Sequence, residues 1–182
     1  MIQPGEQKIG GIVNDFSLTA ITGEWVGLES ILQGKKGAVV VFWSGICSHC
    51  VRYDSYFNGF ARRHPELGFV TIASREAETP HQLRETAKVR QLKFPILHDI
   101  GGKTAKAWAT QQTPRAFLVD ANRVLLYRGA VDNYKYPADI EYAAYLQPAV
   151  LQFLSGTPIA RAETASFGCA VESIYYKLPK AL

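Results

Sequence analysis

Short, continuous apolar segments alternate along the chain with segments of helical periodicity. The runs "GAVVVFW", Gly37 to Trp43, and "LGFVTIAS", Leu67 to Ser74, are rich in β-branched residues. Such runs are typical of strands buried on both faces of a sheet. Between them, large and mostly apolar side chains recur at intervals of three and four residues, at Tyr53, Phe57, Phe60 and His64. This spacing predicts an amphipathic helix between two central strands.

Turn and cap signals predict the remaining elements. "DFSLTA" followed by "ITGEW" indicates an N-terminal hairpin that leads into a short turn around residues 28–32. Thr79-Pro80 is expected to open a helix that runs to about Gln91, and "RAFLVD" and "RVLLYRG" form a hairpin across Asn122. Pro148 is expected at the first position of a last helix, which Gly156 ends.

Parallel strands joined by helices, followed by an antiparallel hairpin and a helix, predict an α/β fold with a central mixed sheet flanked by helices. The chain has 182 residues, of which 47% are hydrophobic, enough for one sizeable core. We therefore expect one domain over residues 1–156 and a C-terminal extension, residues 157–182, that packs on it.

The charge of the chain points to no polyanionic partner. Twenty Lys and Arg against 16 Asp and Glu give a net charge of +4, but the basic residues are scattered. A nucleic-acid footprint would need them clustered on one face, so we expect no nucleic-acid partner. No apolar stretch reaches the roughly 20 residues that a membrane span needs, and the first residues lack the pattern of an export signal. We expect a monomer.

The strongest chemical signal is "CSHC", which directly follows the first central strand. A CxxC pair can be half of a metal site, a reactive thiol with a bystander, or a redox pair. Cys47 lies where a helix would start, and unpaired backbone N–H groups there stabilise a thiolate. Ser48 and His49 lie between the cysteines, where His49 can add a donor or a positive charge. Cys50 lies about one helical turn on and can attack a mixed disulfide on Cys47.

Two alternatives to a redox pair find less support in the sequence. A zinc site needs four ligands, and no second CxxC or HxxxH supplies the others, so we expect no metal. A peroxide-reducing thiol of the peroxiredoxin type would need a Pro where Val40 stands, although Ser44 fits the hydroxyl position. The prediction is therefore a nucleophilic Cys47 and a resolving Cys50, without a metal or organic cofactor.

The segments from Gly10 to Gly156 resemble the thioredoxin-fold redoxins, especially the TlpA/ResA-like thiol-disulfide oxidoreductases and their AhpC/TSA relatives. The resemblance rests on "DFSL", "VVVFWSGICSHC", "GFVTIAS", "FPILHD" and "QQTPRAFLVDANRVLLYRG", in that order. It implies a thioredoxin-like fold, exchange of disulfides with protein thiols and an upstream redox partner, and a periplasmic or other extracytoplasmic location. It also implies that Thr113-Pro114 is a cis pair beside the CxxC and that Thr113 binds an extended partner peptide.

The same resemblance marks where other site residues would lie. Trp43, next to the motif, is counted with the substrate-binding residues, although a large ring here also fits the core. The buried acid of thioredoxins is replaced by Val41, and the acid of many ResA-like proteins by Tyr53. Glu76, after the second strand, is then the candidate proton acceptor for Cys50, or a plain surface carboxylate.

Two questions stay open at this level. Cys169, in "TASFGC", is either a packed thiol on an arm that wraps the domain or an auxiliary thiol that reaches Cys47. Gly168 would let the backbone approach closely in either case. A rival function from another class is a redox-inert binding module that works through the tyrosine-rich segment 134–145.

Overall fold

The computed structural model describes residues 7–134 and 141–171, and a seven-stranded mixed sheet lies at its centre. Its strands are β1 (Ser17–Ala20), β2 (Trp25–Gly27), β3 (Gly37–Trp43), β4 (Leu67–Ala73), β5 (Ile96–His98), β7 (Arg115–Asp120) and β8 (Leu125–Gly129). Two further strands, β6 (Gln112–Thr113) and β9 (Cys169–Ala170), pair with each other in a small separate sheet. The strand order in the large sheet is β2-β1-β5-β4-β3-β7-β8.

Strand β3 lies near the middle of the large sheet, parallel to β4 and antiparallel to β7. Strands β4 and β5 are also parallel, and β7 and β8 form the expected antiparallel hairpin. All seven residues of β3 are buried, as its continuous apolar sequence predicts for a strand with both faces covered. The C-terminal end of β3, which delivers the chain to the CxxC motif, is thus held by strands on both sides.

Seven α-helices accompany these strands in the described ranges: α1 (Leu28–Leu32), α2 (Ser48–Val51), α3 (Asp54–Asn58), α4 (Phe60–Arg63), α5 (Pro80–Val89), α6 (Lys103–Ala107) and α7 (Leu146–Ser155). The single helix predicted after the CxxC motif is divided into α2, α3 and α4, with breaks at Arg52-Tyr53 and at Gly59. The apolar positions still face the core, because each break keeps a turn-like backbone. Helix α7 begins at Leu146, two residues before Pro148, so Pro148 is not its first residue.

Two hydrophobic clusters cover the two faces of the sheet. The residues of β3 alternate between them: Val39, Val41 and Trp43 belong to one, and Ala38, Val40 and Phe42 to the other. This alternation follows from the two-residue period of a strand. Aromatic rings fill both clusters, with Phe60 stacked on Phe69 in the first and Trp108 edge-on to Phe117 in the second. The structure confirms the predicted thioredoxin-like α/β fold.

After α7 the chain runs along the outer edge of β8. The backbone of Arg128 donates to Ala162 and accepts from Thr164, and the Thr164 hydroxyl lies 2.8 Å from the Tyr127 hydroxyl. Gly129, at a φ of +151°, permits this approach, since a Cβ there would lie 2.0 Å from Thr164 Oγ1. We call residues 157–171 the C-terminal arm; the rest of the predicted extension lies outside the described residues.

Within residues 7–134 and 141–171, no helix combines the length and the apolar character needed to cross a bilayer.

Candidate active site

The site begins where β3 ends. The chain leaves the sheet at Trp43 and turns through Ser44, Gly45 and Ile46, and Cys47 then forms the N-cap of α2. The Cys47 carbonyl accepts hydrogen bonds from the N–H groups of Cys50 and Val51, which starts the helix. The helical turn brings Cys50 back beside Cys47, as the CxxC spacing predicts.

The two thiols of the motif are close and unlike each other. Both are buried and reduced, and they lie 3.6 Å apart. A hydrogen bond from the Cys50 thiol is the largest of the effects that lower the pKa of Cys47 to about 4, against an opposing effect of burial. Burial, and then the hydrogen bond and charge of Cys47, raise the pKa of Cys50. At neutral pH the pair therefore holds one thiolate, on Cys47, and one thiol, on Cys50.

The loop before β7 closes the site from the other side. The Thr113-Pro114 peptide bond is cis, as the resemblance implied. The Thr113 carbonyl lies 3.3 Å from Cys47 Sγ, and Thr113 itself is fully buried. Thr113 thus presents its carbonyl group next to the reactive sulfur, and a hydrogen bond of its side chain is one of the effects that lower the pKa of Cys47.

The predicted tuning residues occupy different surroundings. Ser48 is exposed, whereas His49 is half-buried and its ring lies edge-on to Phe167, with centroids 5.1 Å apart. The lowered pKa of Cys47 has its causes in Cys50, Cys169 and Thr113. The role of Ser48 and His49 in tuning the Cys47 thiolate stays a prediction, and the His49 ring contacts the C-terminal arm through Phe167.

Trp43 does not line the surface of the site. It is fully buried, packs edge-on against Phe94 and lies under the guanidinium of Arg90. The ring is as fully buried as Cys47 and Thr113, so the place of Trp43 among the substrate-binding residues stays a prediction. Its role in the structure is to support the loop that carries Cys47.

The carboxylate that faces the loop before Cys47 is Glu78, not Glu76. Glu76 is exposed, whereas Glu78 is 3% exposed and its Oε1 accepts a hydrogen bond of 2.6 Å from the Gly45 N–H. Burial raises the pKa of Glu78, while contacts with Ser44 and Gly45 act in the opposite direction. Both glutamates lie in the loop after β4, and nothing in their local sequence distinguishes which one turns inward.

Cys169 reaches the same site from the C-terminal arm. Strand β9 pairs antiparallel with β6, with Cys169 opposite Thr113. Both the thiol and the backbone of Cys169 make hydrogen bonds that lower the pKa of Cys47. The structure therefore brings together three thiols, of which the sequence could place only two.

A cavity of about 410 Å³ opens beside the cis-proline. Pro114, Tyr53, Asp132 and Phe167 are among the residues that line it. The Tyr53 hydroxyl donates a 2.5 Å hydrogen bond to Asp132, whose other oxygen lies 3.6 Å from Arg52. The position at which many ResA-like proteins carry an acid thus holds a tyrosine that binds an acid from another part of the chain.

In the described part of the chain, no three His, Cys, Asp or Glu side chains are placed to hold one metal ion.

Comparison with known proteins agrees with this geometry. The chain is 30% identical over 115 residues to the thiol-disulfide oxidoreductase ResA of Bacillus thuringiensis subsp. konkukian, an alignment that spans 63% of this chain and 65% of that protein. A hypothetical protein from Sinorhizobium meliloti 1021 matches with a TM-score of 0.81 and 27% identity, over 90% of this chain and 93% of its own. An uncharacterized conserved protein from Geobacillus kaustophilus shares the fold with a TM-score of 0.83 and 23% identity, over 97% and 95% of the two chains.

The family model of AhpC/TSA matches residues 9–128, a range that contains the CxxC motif, the cis-proline and the whole large sheet except Gly129, the last residue of β8. The chain is a member of the AhpC/TSA family.

Proposed function

We propose that this protein is a thiol-disulfide oxidoreductase that exchanges disulfides with protein thiols through Cys47 and Cys50. The observation that carries the proposal is the pair of buried thiols 3.6 Å apart beside a cis-proline, and the lowered pKa of Cys47 with the raised pKa of Cys50 assigns the attacking role to the first and the resolving role to the second. A thiolate is the attacking species in disulfide exchange, and a neighbouring thiol is needed to release the partner.

The reaction would take place in two exchanges. The Cys47 thiolate attacks one sulfur of a partner disulfide, and the other partner sulfur leaves as a thiolate and takes a proton. Cys50 then loses its proton and attacks Cys47 Sγ, which releases the partner as a dithiol and leaves the Cys47–Cys50 disulfide. The reverse sequence oxidises a partner dithiol.

The surroundings of Cys50 make the second exchange depend on the first. Two of the three effects that raise the pKa of Cys50 come from Cys47, namely its hydrogen bond and its negative charge. Once Cys47 is part of a mixed disulfide it carries no charge, so both effects disappear. Cys50 therefore becomes easier to deprotonate at the moment when its attack is required.

The partner is a protein or peptide rather than a small metabolite in this proposal. The residue before the cis-proline places its main-chain groups next to the Cys47 sulfur, where they pair with a strand of this chain, and an extended partner chain could pair with them in the same way by β-strand addition. The relatives named thiol-disulfide oxidoreductase support the same assignment. An extracytoplasmic location belongs to the proposal through the ResA-like resemblance, and fractionation of the source cells with detection by antibody tests it.

Reduction of insulin by the protein, with dithiothreitol as electron donor, tests the activity. Wild-type protein should accelerate insulin reduction and Cys47→Ser should not, while Ser55→Ala, at an exposed position on α3, serves as the control. Equal rates for Cys47→Ser and wild type would leave the redox-inert binding module as the better function; of the tyrosine-rich surface predicted for it, residues 135–140 lie outside the described residues. Consumption of hydrogen peroxide in place of insulin would favour the thiol peroxidase.

Trapping on Cys50→Ser identifies the partner. Without the resolving thiol, partner proteins should remain bound to Cys47 as mixed disulfides that a reductant releases. The double variant Cys47→Ser/Cys50→Ser is the control, and partners captured equally by both variants are not bound through Cys47.

A further inference from the structure

The C-terminal arm occupies the place beside the cis-proline that an extended partner would use. Cys169 lies opposite Thr113 in the antiparallel pair of β6 and β9. The Val171 N–H donates to the Gln111 carbonyl at 2.9 Å, and Thr113 Oγ1 donates to the Cys169 carbonyl at 3.4 Å. The arm is therefore bound by main-chain pairing to the same residues that recognise a peptide in the proposed function.

This pairing places the Cys169 thiol against the Cys47 thiol. The thiol and the backbone of Cys169 both hydrogen-bond to Cys47, and the charge of Cys47 in turn acts on Cys169. Cys169 is half-buried, and it packs against the core cluster that contains Cys47 and Cys50. A third thiol thus lies in contact with the proposed nucleophile, at the position where the cysteine of a partner peptide would have to lie.

The residues around Cys169 fit this position closely. A Cβ on Gly168 would lie 1.8 Å from the Thr113 carbonyl oxygen, so only glycine allows the arm to come this near. Phe167 packs against the His49 ring between the two cysteines of the motif. Further back, Thr164 binds the backbone of Ala130, and the Glu163 carboxylate lies 2.8 Å from the Arg128 guanidinium. The docked arm is fixed at several points and not at the thiol alone.

We propose that Cys169 is a second resolving thiol, which attacks disulfides formed on Cys47 and produces an intramolecular Cys47–Cys169 disulfide. The proposal rests on the proposed function, since it requires a nucleophilic Cys47. It also implies that the arm and an extended partner peptide exclude each other, because both pair with β6. The docked arm therefore acts on mixed disulfides between Cys47 and small thiols, because a small thiol does not pair with β6 and does not displace the arm.

The step balances without any further oxidant. A low-molecular-weight disulfide, RSSR, first reacts with the Cys47 thiolate to give Cys47–SR and a free thiol. The Cys169 thiol loses its proton and its sulfur attacks Cys47 Sγ, and the bond between Cys47 and SR breaks. The second thiolate leaves with the electron pair and takes up a proton, so RSSR has accepted two electrons and the protein holds one new disulfide.

Treatment with oxidised glutathione, followed by non-reducing digestion and mass spectrometry, tests the proposal. In Cys50→Ser, we expect the Cys47–Cys169 disulfide to accumulate with little glutathione on Cys47. In Cys50→Ser/Cys169→Ser, glutathione should remain on Cys47, at a level higher by about tenfold or more, because an adjacent thiol competes at a high effective concentration. Thermal unfolding of both variants checks that they are folded.

The outcomes separate this proposal from the proposed function. Equal amounts of glutathione on Cys47 in the two variants would overturn the role of Cys169 and leave the Cys47–Cys50 chemistry intact. If oxidised glutathione modifies Cys47 in no variant, the role of Cys169 is overturned, whereas the proposed function fails only if Cys47→Ser reduces insulin as fast as wild type.

A backbone variant tests whether docking of the arm matters. Gly168→Ala in the Cys50→Ser background keeps all the thiols but forces the arm away from Thr113, so the Cys47–Cys169 disulfide should decrease and glutathione on Cys47 should increase. Ala170→Ser, at an exposed position of β9, is the matched control and should behave like its parent. An undiminished Cys47–Cys169 disulfide in Gly168→Ala would contradict the docked geometry as its cause.

Discussion

The pKa of Cys47 is set chiefly by its neighbour Cys50, and this dependence can be measured. Cys50 is the first of the groups that lower the pKa of Cys47 to about 4, ahead of Cys169 and Thr113. Replacing Cys50 by Ala removes that hydrogen bond and leaves the backbone of α2 in place. The Cys47 thiolate should then be less stable, and its pKa should rise.

The size of the rise follows from the strength of a hydrogen bond to a charged group. Such a bond contributes about 1.5–3 kcal/mol, and one pKa unit corresponds to about 1.4 kcal/mol. Cys50→Ala should therefore raise the pKa of Cys47 by about one to two units. Cys169→Ala should raise it by less, because Cys169 is the smaller contributor.

The rate of Cys47 alkylation by iodoacetamide, followed by peptide mass spectrometry from pH 3 to pH 10, gives these pKa values. The wild-type rate should reach its plateau well below neutral pH, and at pH 7 Cys47 should carry roughly thirty times more thiolate than an ordinary cysteine of pKa about 8.5. Identical midpoints for wild type and Cys50→Ala would refute the hydrogen bond as the cause. A larger shift in Cys169→Ala than in Cys50→Ala would reverse the order of the two contributors.

Three further substitutions, two of them compared with a control substitution, test the surroundings of the site through urea unfolding of the reduced protein. Burial raises the pKa of Glu78 above its ordinary 4.5, so the folded protein favours the protonated carboxyl, and this contribution to stability is lost as the pH rises through the folded-state pKa. The free energy of unfolding of wild type should therefore fall relative to that of Glu78→Gln between about pH 4.5 and neutral pH. A difference between the two proteins that does not change with pH would contradict this. Tyr53→Phe removes a hydrogen bond to the buried Asp132 carboxylate and should cost about 1.5–3 kcal/mol, more than Tyr56→Phe, which loses only a bond to the neutral Gln147. Equal losses of stability in the two variants would mean that the charge of Asp132 does not strengthen its hydrogen bond with Tyr53. Phe60→Ala, in the core cluster, should cost about 3–5 kcal/mol, whereas Val51→Ala at a largely exposed position should change the stability by no more than about 0.5 kcal/mol.

The sequence alone determined the elements whose signals are local. The β-branched run predicted a strand buried on both faces, and all seven residues of β3 are buried. The prediction succeeds because a continuous apolar segment is stable only when both faces of the sheet are covered. The position of the CxxC motif between β3 and α2 follows from the same run, and so does the separation of one helical turn between Cys47 and Cys50. The family could be recognised from these segments and their order.

Only the tertiary structure decided which distant groups meet at the site. Glu78 faces Gly45 while Glu76 lies in solvent, Trp43 is sealed in the core, and Cys169 comes to Cys47 by pairing with β6. A periodic pattern reports which face of its own element is buried, but it carries no information on which other segment covers that face. The contact between Cys169 and Cys47 depends on the path of the arm along β8 and on the close approach of Gly168 to the Thr113 carbonyl. The packing of the folded chain sets both.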